Sequence, residues 1–105
     1  MEHRVDTPSE AAAVVRAHRA LRIPGAIVLC QPVPRADALD EDILQRALDR
    51  ARHDARRQGI TGKSLTPFLL EAIHRDTAGR SLQANRALLI ANARLAAEIT
   101  GALAV

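Results

Sequence analysis

Apolar positions along the chain change period several times, and each change predicts an element. Thr7-Pro8-Ser9-Glu10 carries the marks of a helix start: a threonine able to cap, a proline where its missing N–H does no harm, and a glutamate placed to close a capping box. A helix is predicted from Pro8 to about Leu21, stopped by Pro24-Gly25. The next run, Ala26-Ile27-Val28-Leu29-Cys30, is short, continuously apolar and bounded by turn residues, which predicts a strand buried on both faces. With His3-Arg4-Val5 read as the end of an earlier strand, the first third of the chain predicts a β-α-β unit.

Gln31-Pro32-Val33-Pro34 leaves that strand as a stiff extended loop, because each proline fixes its own φ and turns its predecessor away from helix. Two roles fit such a loop: a ligand-facing position at the carboxyl end of a strand, or a rigid connector. Asp40 or a neighbouring aspartate then caps a long helix in which Ile43, Leu44, Ala47, Leu48, Ala51 and Ala55 recur at helical spacing, and Gly59 suits its end. Thr66-Pro67 repeats the cap-and-proline signal for a short helix carrying Phe68, Leu69, Leu70 and Ile73 inward, broken by Thr77-Ala78-Gly79. Ser81 opens the last helix, with Leu82, Leu88, Leu89, Leu95, Ile99 and Leu103 along its apolar stripe. The expected fold class is α/β, a β-α-β unit followed by C-terminal helices.

Composition sharpens this picture. The 105 residues hold at most one domain, read as a single partial domain over 1–105, and with one Phe and no Trp or Tyr its core must be built from Leu, Ile, Val and Ala. An apolar fraction of 48% argues against disorder, so the missing aromatics point to a piece of something larger or to an obligate oligomer. Fifteen Lys and Arg are answered by twelve Asp and Glu and spread over several segments, and no aromatic platform accompanies the densest run, Arg50 to Arg57, so no nucleic-acid polymer is expected as partner. The single Cys30 cannot form an internal disulfide and is expected reduced and buried. No signal-peptide pattern or membrane-length apolar stretch is seen, so no membrane partner is expected and the expected compartment is the cytoplasm.

Candidate chemistry is sparse. The stretch Gly59-Ile60-Thr61-Gly62-Lys63-Ser64 ends in the Gly-Lys-Ser of a phosphate loop, but that loop needs a glycine where Arg57 stands, and a buried strand before it. Lys63 is therefore either a solvated turn residue or a phosphate contact outside any nucleotide loop. His3, His18, His53 and His74 are scattered, and Asp37, Asp40, Glu41 and Asp42 are explained by the helix dipole as readily as by a metal or an acid/base pair. Ser64 and Ser81 lack a nucleophile elbow. Asn85 and Asn92 fall on or beside the stripe of the last helix, seven residues apart on the same face. Asparagine is a poor helix-interior residue whose amide needs partners on both arms, so each is either a structural pairing with a loop or a reader of an alternating N–H and C=O edge.

The segments G-I-T-G-K-S-L-T-P-F-L-L and G-R-S-L-Q-A-N-R-A-L-L-I-A-N-A-R-L-A-A, together with R-V-D-T-P-S-E-A-A, I-P-G-A-I-V-L-C, Q-P-V-P and A-L-D, make the chain resemble the C-terminal portion of pseudouridine-5'-phosphate glycosidase. The resemblance covers nearly the whole chain but only about the last third of the enzyme. It implies a fragment of an α/β/α sandwich, from a typically trimeric, divalent-metal enzyme using an ion such as manganese. That enzyme cleaves the C–C glycosidic bond of pseudouridine 5'-phosphate to ribose 5-phosphate and uracil, with a lysine opening the sugar as a Schiff base, assisted by a glutamate and metal-bound aspartates. Those groups belong to family segments that this chain lacks, so the resemblance implies no catalytic residue and no metal ligand here. Lys63 matches the glycine-lysine turn and not the Schiff-base lysine.

By carry-over, Asn85, through its place in S-L-x-A-N, contributes to the uracil pocket, with Asn92 second. Two departures touch that pocket: Gln31-Pro32 where the family tends to have Asn-Pro, and Ala91-Asn92 where it tends to have paired asparagines. The resemblance implies a chain inactive alone, completed by a complementary chain, whether it arises as a split gene product, a truncated frame or an excised domain. The competing expectation is a non-catalytic assembly module that keeps the scaffold as a homo-oligomer.

Overall fold

A computed structural model describes residues 3–105. The elements are helical throughout: α1 (Pro8–Ala20), α2 (Glu41–Arg57), a single 3-10 turn (Gly62–Ser64), α3 (Leu65–Asp76) and α4 (Arg80–Leu103). The four helices fall close to where the apolar spacing puts them, but α3 begins at Leu65 after Ser64, so Thr66 lies inside the helix and does not cap it. The strands do not form.

Among the described residues neither His3–Val5 nor Ala26–Cys30 has strand structure, so the α/β class and its β-α-β unit are corrected to an all-helical architecture. An isolated strand leaves every backbone N–H and C=O without a ladder partner, and an apolar run gains nothing as a strand unless a neighbour pairs with it. Val28 is 81% exposed and only Ile27 of the run is half-buried, the opposite of burial on two faces. Cys30, expected buried, is exposed for the same reason.

Helix starts and stops follow local chemistry. The Thr7 hydroxyl accepts from the backbone N–H of Glu10 at 3.1 Å, while the Glu10 carboxylate accepts from the N–H of Asp6 at 2.7 Å, one residue before the position that a capping box would use. Asp40 caps α2 by accepting from the N–H of Asp42 at 2.9 Å, which accounts for that member of the acidic cluster. α1, α2 and α3 all end in the paired six-to-one and five-to-two backbone bonds of a left-handed terminus. At α2 the left-handed residue is Gly59, φ +66°, but at α1 and α3 it is Arg22, φ +51°, and Ala78, φ +53°. α1 thus stops before the Pro24-Gly25 pair that was expected to stop it.

The chain divides into two compact units, one made of Met1–Pro32 with Leu89–Val105, the other of Val33–Leu88. In the second, α2 packs on α3 and the buried apolar positions are Ala47, Ala51, Ala55, Ala72 and Ala84. Alanine on a helix face lets the neighbouring axis come to the short end of the usual 8–10 Å range, so contact is made close to the backbone. Arg50 Nε pairs with Asp76 Oδ2 at 3.0 Å, partly exposed and of small energetic weight. Thr77, only 6% exposed, donates its hydroxyl to the Ile73 carbonyl at 2.8 Å and accepts from the Ser81 N–H at 3.1 Å, closing α3 and opening α4 with one side chain.

Among the described residues of the first unit, Ala11, Ala12 and Ile99 are the buried apolar ones. Arg16 reaches 89 residues along the chain to donate to the Val105 carbonyl at 3.2 Å, and also donates to the carbonyl of Ala102. A guanidinium there satisfies carbonyls at the α4 terminus and meets the negative end of its dipole.

Candidate functional site

Asn85 lies in the first half of α4, exposed, on the rim of a hollow of about 230 Å³ within the second unit. Val33, Leu39, Leu44, Leu70 and Ile73 make its walls apolar, and Ser81 and Asn85 are its polar side chains. The spacing that places Ser81 and Asn85 together is one helical turn, four residues. Val33 brings the proline-bounded loop to this hollow, so the loop supplies part of a cavity wall.

Asn92 lies in the half of α4 that belongs to the first unit, beside a separate hollow of about 240 Å³ lined by Leu29, Leu95, Ala96 and Ile99. Its Oδ1 accepts a hydrogen bond of 2.8 Å from Gln31 Nε2. Gln31 also lines a third hollow, about 190 Å³, with Cys30 and the start of α1. In the sequence Gln31 stands out as the first residue of the proline-bounded loop and as a departure from a family pattern. A bond between residues 61 apart has no local signature, and no periodicity would have found it.

Lys63 is an exposed residue of the 3-10 turn that joins the α2 region to α3, a helix-to-helix turn and not a strand-to-helix phosphate loop. Among the described residues no group of three or more His, Cys, Asp or Glu side chains is gathered in a way that could hold a metal ion. The Nδ1 of His74 is buried without a hydrogen-bond partner, packed against the Gly79 turn. Among the described residues no helix is long and apolar enough to cross a membrane.

Asn85 and Asn92 thus each border a largely apolar hollow within their own unit. The family model described as Indigoidine synthase A like protein matches residues 1–102. The chain belongs to that family, which here means the pseudouridine-5'-phosphate glycosidases and their relatives. It is 42% identical over 103 residues to the pseudouridine-5'-phosphate glycosidase of Symbiobacterium thermophilum, covering 98% of this chain and 33% of that protein. To that of Saccharopolyspora erythraea it is 43% identical over 104 residues, covering 99% and 34%. The crystal structure of the prealnumycin C-glycosynthase AlnA in complex with ribulose 5-phosphate superposes with a TM-score of 0.83 at 35% identity, covering 95% of this chain and 33% of that one. The chain spans about a third of the length of the curated relatives it matches.

Proposed function

We propose that this chain is the C-terminal part of a pseudouridine-5'-phosphate glycosidase, inactive by itself and active when a complementary chain supplies the remaining two thirds. The observation that carries the reading is the identity of 42% that runs through 98% of this chain yet takes in only 33% of the relative. In the completed enzyme the lysine, the glutamate and the manganese-binding aspartates come from the complementary part, and pseudouridine 5'-phosphate is split there to ribose 5-phosphate and uracil in the cytoplasm. This chain contributes a wall of the uracil pocket. Asn85 is its first candidate and Asn92 its second, since a primary amide offers the donor and the acceptor that a uracil edge requires.

The test is uracil release from pseudouridine 5'-phosphate, with Mn2+ present, for the chain alone, the complementary chain alone and the two together. Activity only in the mixture is expected. Release by the 105-residue chain alone, above a protein-free blank, sinks the proposal.

A second reading is supported by the uncovered apolar side chains Leu21, Val28 and Leu89, 71%, 81% and 67% exposed: an assembly module that buries them in copies of itself. Sedimentation of the chain alone separates the two. A stable homo-oligomer favours assembly, and a monomer that associates only with the complementary chain favours the glycosidase part.

A further inference from the structure

The outer face of α2 lies opposite its buried alanines. Asp42, Arg46, Asp49, His53 and Arg57 recur there at helical spacing and are all exposed, while among the described elements α3 alone packs on this helix, from the alanine side. Charge is sorted along the length of the helix. From the cap to Asp49 the acids Asp40, Glu41, Asp42 and Asp49 stand against Arg46; beyond it Arg50, Arg52, Arg56 and Arg57 stand against Asp54. The helix dipole is equivalent to about half a charge at each end and is felt within the first and last turns. It therefore accounts for Glu41, Asp42, Arg56 and Arg57, but not for Asp49, Arg50 and Arg52 in the middle. Nor do these charges neutralise one another within the helix. Asp42 with Arg46, and Asp54 with Arg57, have the spacing of helix ion pairs, yet among the described residues the ion pairs are Arg4–Asp6 and Arg50–Asp76.

The sorting selects the partner. A polyanion is drawn to the second half of α2 and repelled by the first, and a basic protein meets the reverse. A second copy of the same helix, running antiparallel, offers opposite charge to both halves. With the twofold axis between Asp49 and Arg50, position 42 stands across from 57, 49 from 50 and 46 from 53. We infer that the outer face of α2 is a self-complementary dimer contact in which Asp42 meets the partner's Arg57 and Asp49 meets the partner's Arg50, each pair made twice. Arg50 gives its Nε to Asp76 of its own chain and keeps its terminal nitrogens for the partner's Asp49. Neither function proposed above uses this face, and the exposed Leu21, Val28 and Leu89 belong to the other unit.

Exposed pairs are individually weak and screened by salt, so the dimer has a dissociation constant of about 0.1 mM at low ionic strength. It is a monomer at the micromolar concentrations where an assembly built on apolar side chains persists, so the two fail separately. Sedimentation equilibrium of the chain at about 1 mM is expected to show dimer in about 20 mM salt and at least roughly tenfold weaker association in about 300 mM salt. Asp42→Arg and Arg57→Asp are each expected to abolish self-association. Mixing the two variants restores it, because a dimer of one of each sets the introduced arginine against the introduced aspartate and the remaining Arg57 against the remaining Asp42. A wild-type chain that stays monomeric at low salt overturns the inference, as does a dimer indifferent to salt and to both reversals, or a mixture of folded variants that does not associate. Should a reversal fail to fold, Asp42→Asn and Arg57→Gln take its place, each expected to weaken the dimer about fivefold; unchanged affinity overturns the contact.

Discussion

The two units bury their surfaces in different ways. In Val33–Leu88 the helices meet through alanines, and the one buried polar side chain, Thr77, is bonded as both donor and acceptor. In the unit formed by Met1–Pro32 and Leu89–Val105, long side chains reach backbone or amide partners far away in sequence, while Leu21, Ile23, Val28 and Leu29 stay exposed. The first arrangement is closed by backbone proximity, the second by a few directed hydrogen bonds. The helix pair buries its alanine faces within this chain, although Ile43, Leu44, Leu70 and Leu82 remain exposed, whereas the apolar extended segment buries almost none of its length.

The largest expected effect breaks the alanine-packed unit. Ala51→Asp puts a carboxylate at a position 1% exposed between packed helices, and should cost about 3 kcal/mol or more, read as a lowered urea midpoint in far-ultraviolet circular dichroism. A change within 0.5 kcal/mol would mean that the α2 face is not a core. A smaller effect should stay in the other unit. Arg16→Met keeps the apolar stem but removes the charge and donors from the end of α4, costing about 1 kcal/mol. Amide exchange should quicken from Ile99 to Leu103 and stay unchanged in α2 and α3; uniform quickening would erase the distinction. The smallest effect has the opposite sign. Ala78→Gly relieves a left-handed φ of +53° and is expected to stabilise by about 0.5 kcal/mol, the steric relief exceeding the added chain entropy. Destabilisation there would show that the Ala78 methyl contributes packing that outweighs its backbone cost.

The helices were legible because their signals are local. Thr7, Asp40 and Gly59 act within one turn of where they stand, and of the predicted stripe Ile43, Leu44, Ala47, Leu48, Ala51 and Ala55 the three alanines are buried while Ile43 and Leu44 are exposed. The strand reading of Ala26–Cys30 failed because an apolar run states only a need for burial, and what meets that need is a neighbouring strand that local sequence does not contain. The left-handed ends at Arg22 and Ala78 were hidden because neither residue advertises positive φ as glycine does. At the candidate site, Asn85 and Asn92 could be singled out by helical register. Their different surroundings, and the bond from Gln31, depend on contacts between distant segments.

The discontinuity of the first unit also orders the birth of the protein. Its parts are Met1–Pro32 and Leu89–Val105, with the whole of the second unit encoded between them. On a ribosome, α1 emerges early but has to wait for α4 before Arg16 and Gln31 find their partners. The α2 and α3 pair, close in sequence, can dock while α4 is still being made, since short loops close first and at the least entropic cost. The apolar run Ala26–Cys30 stays largely exposed before and after that docking.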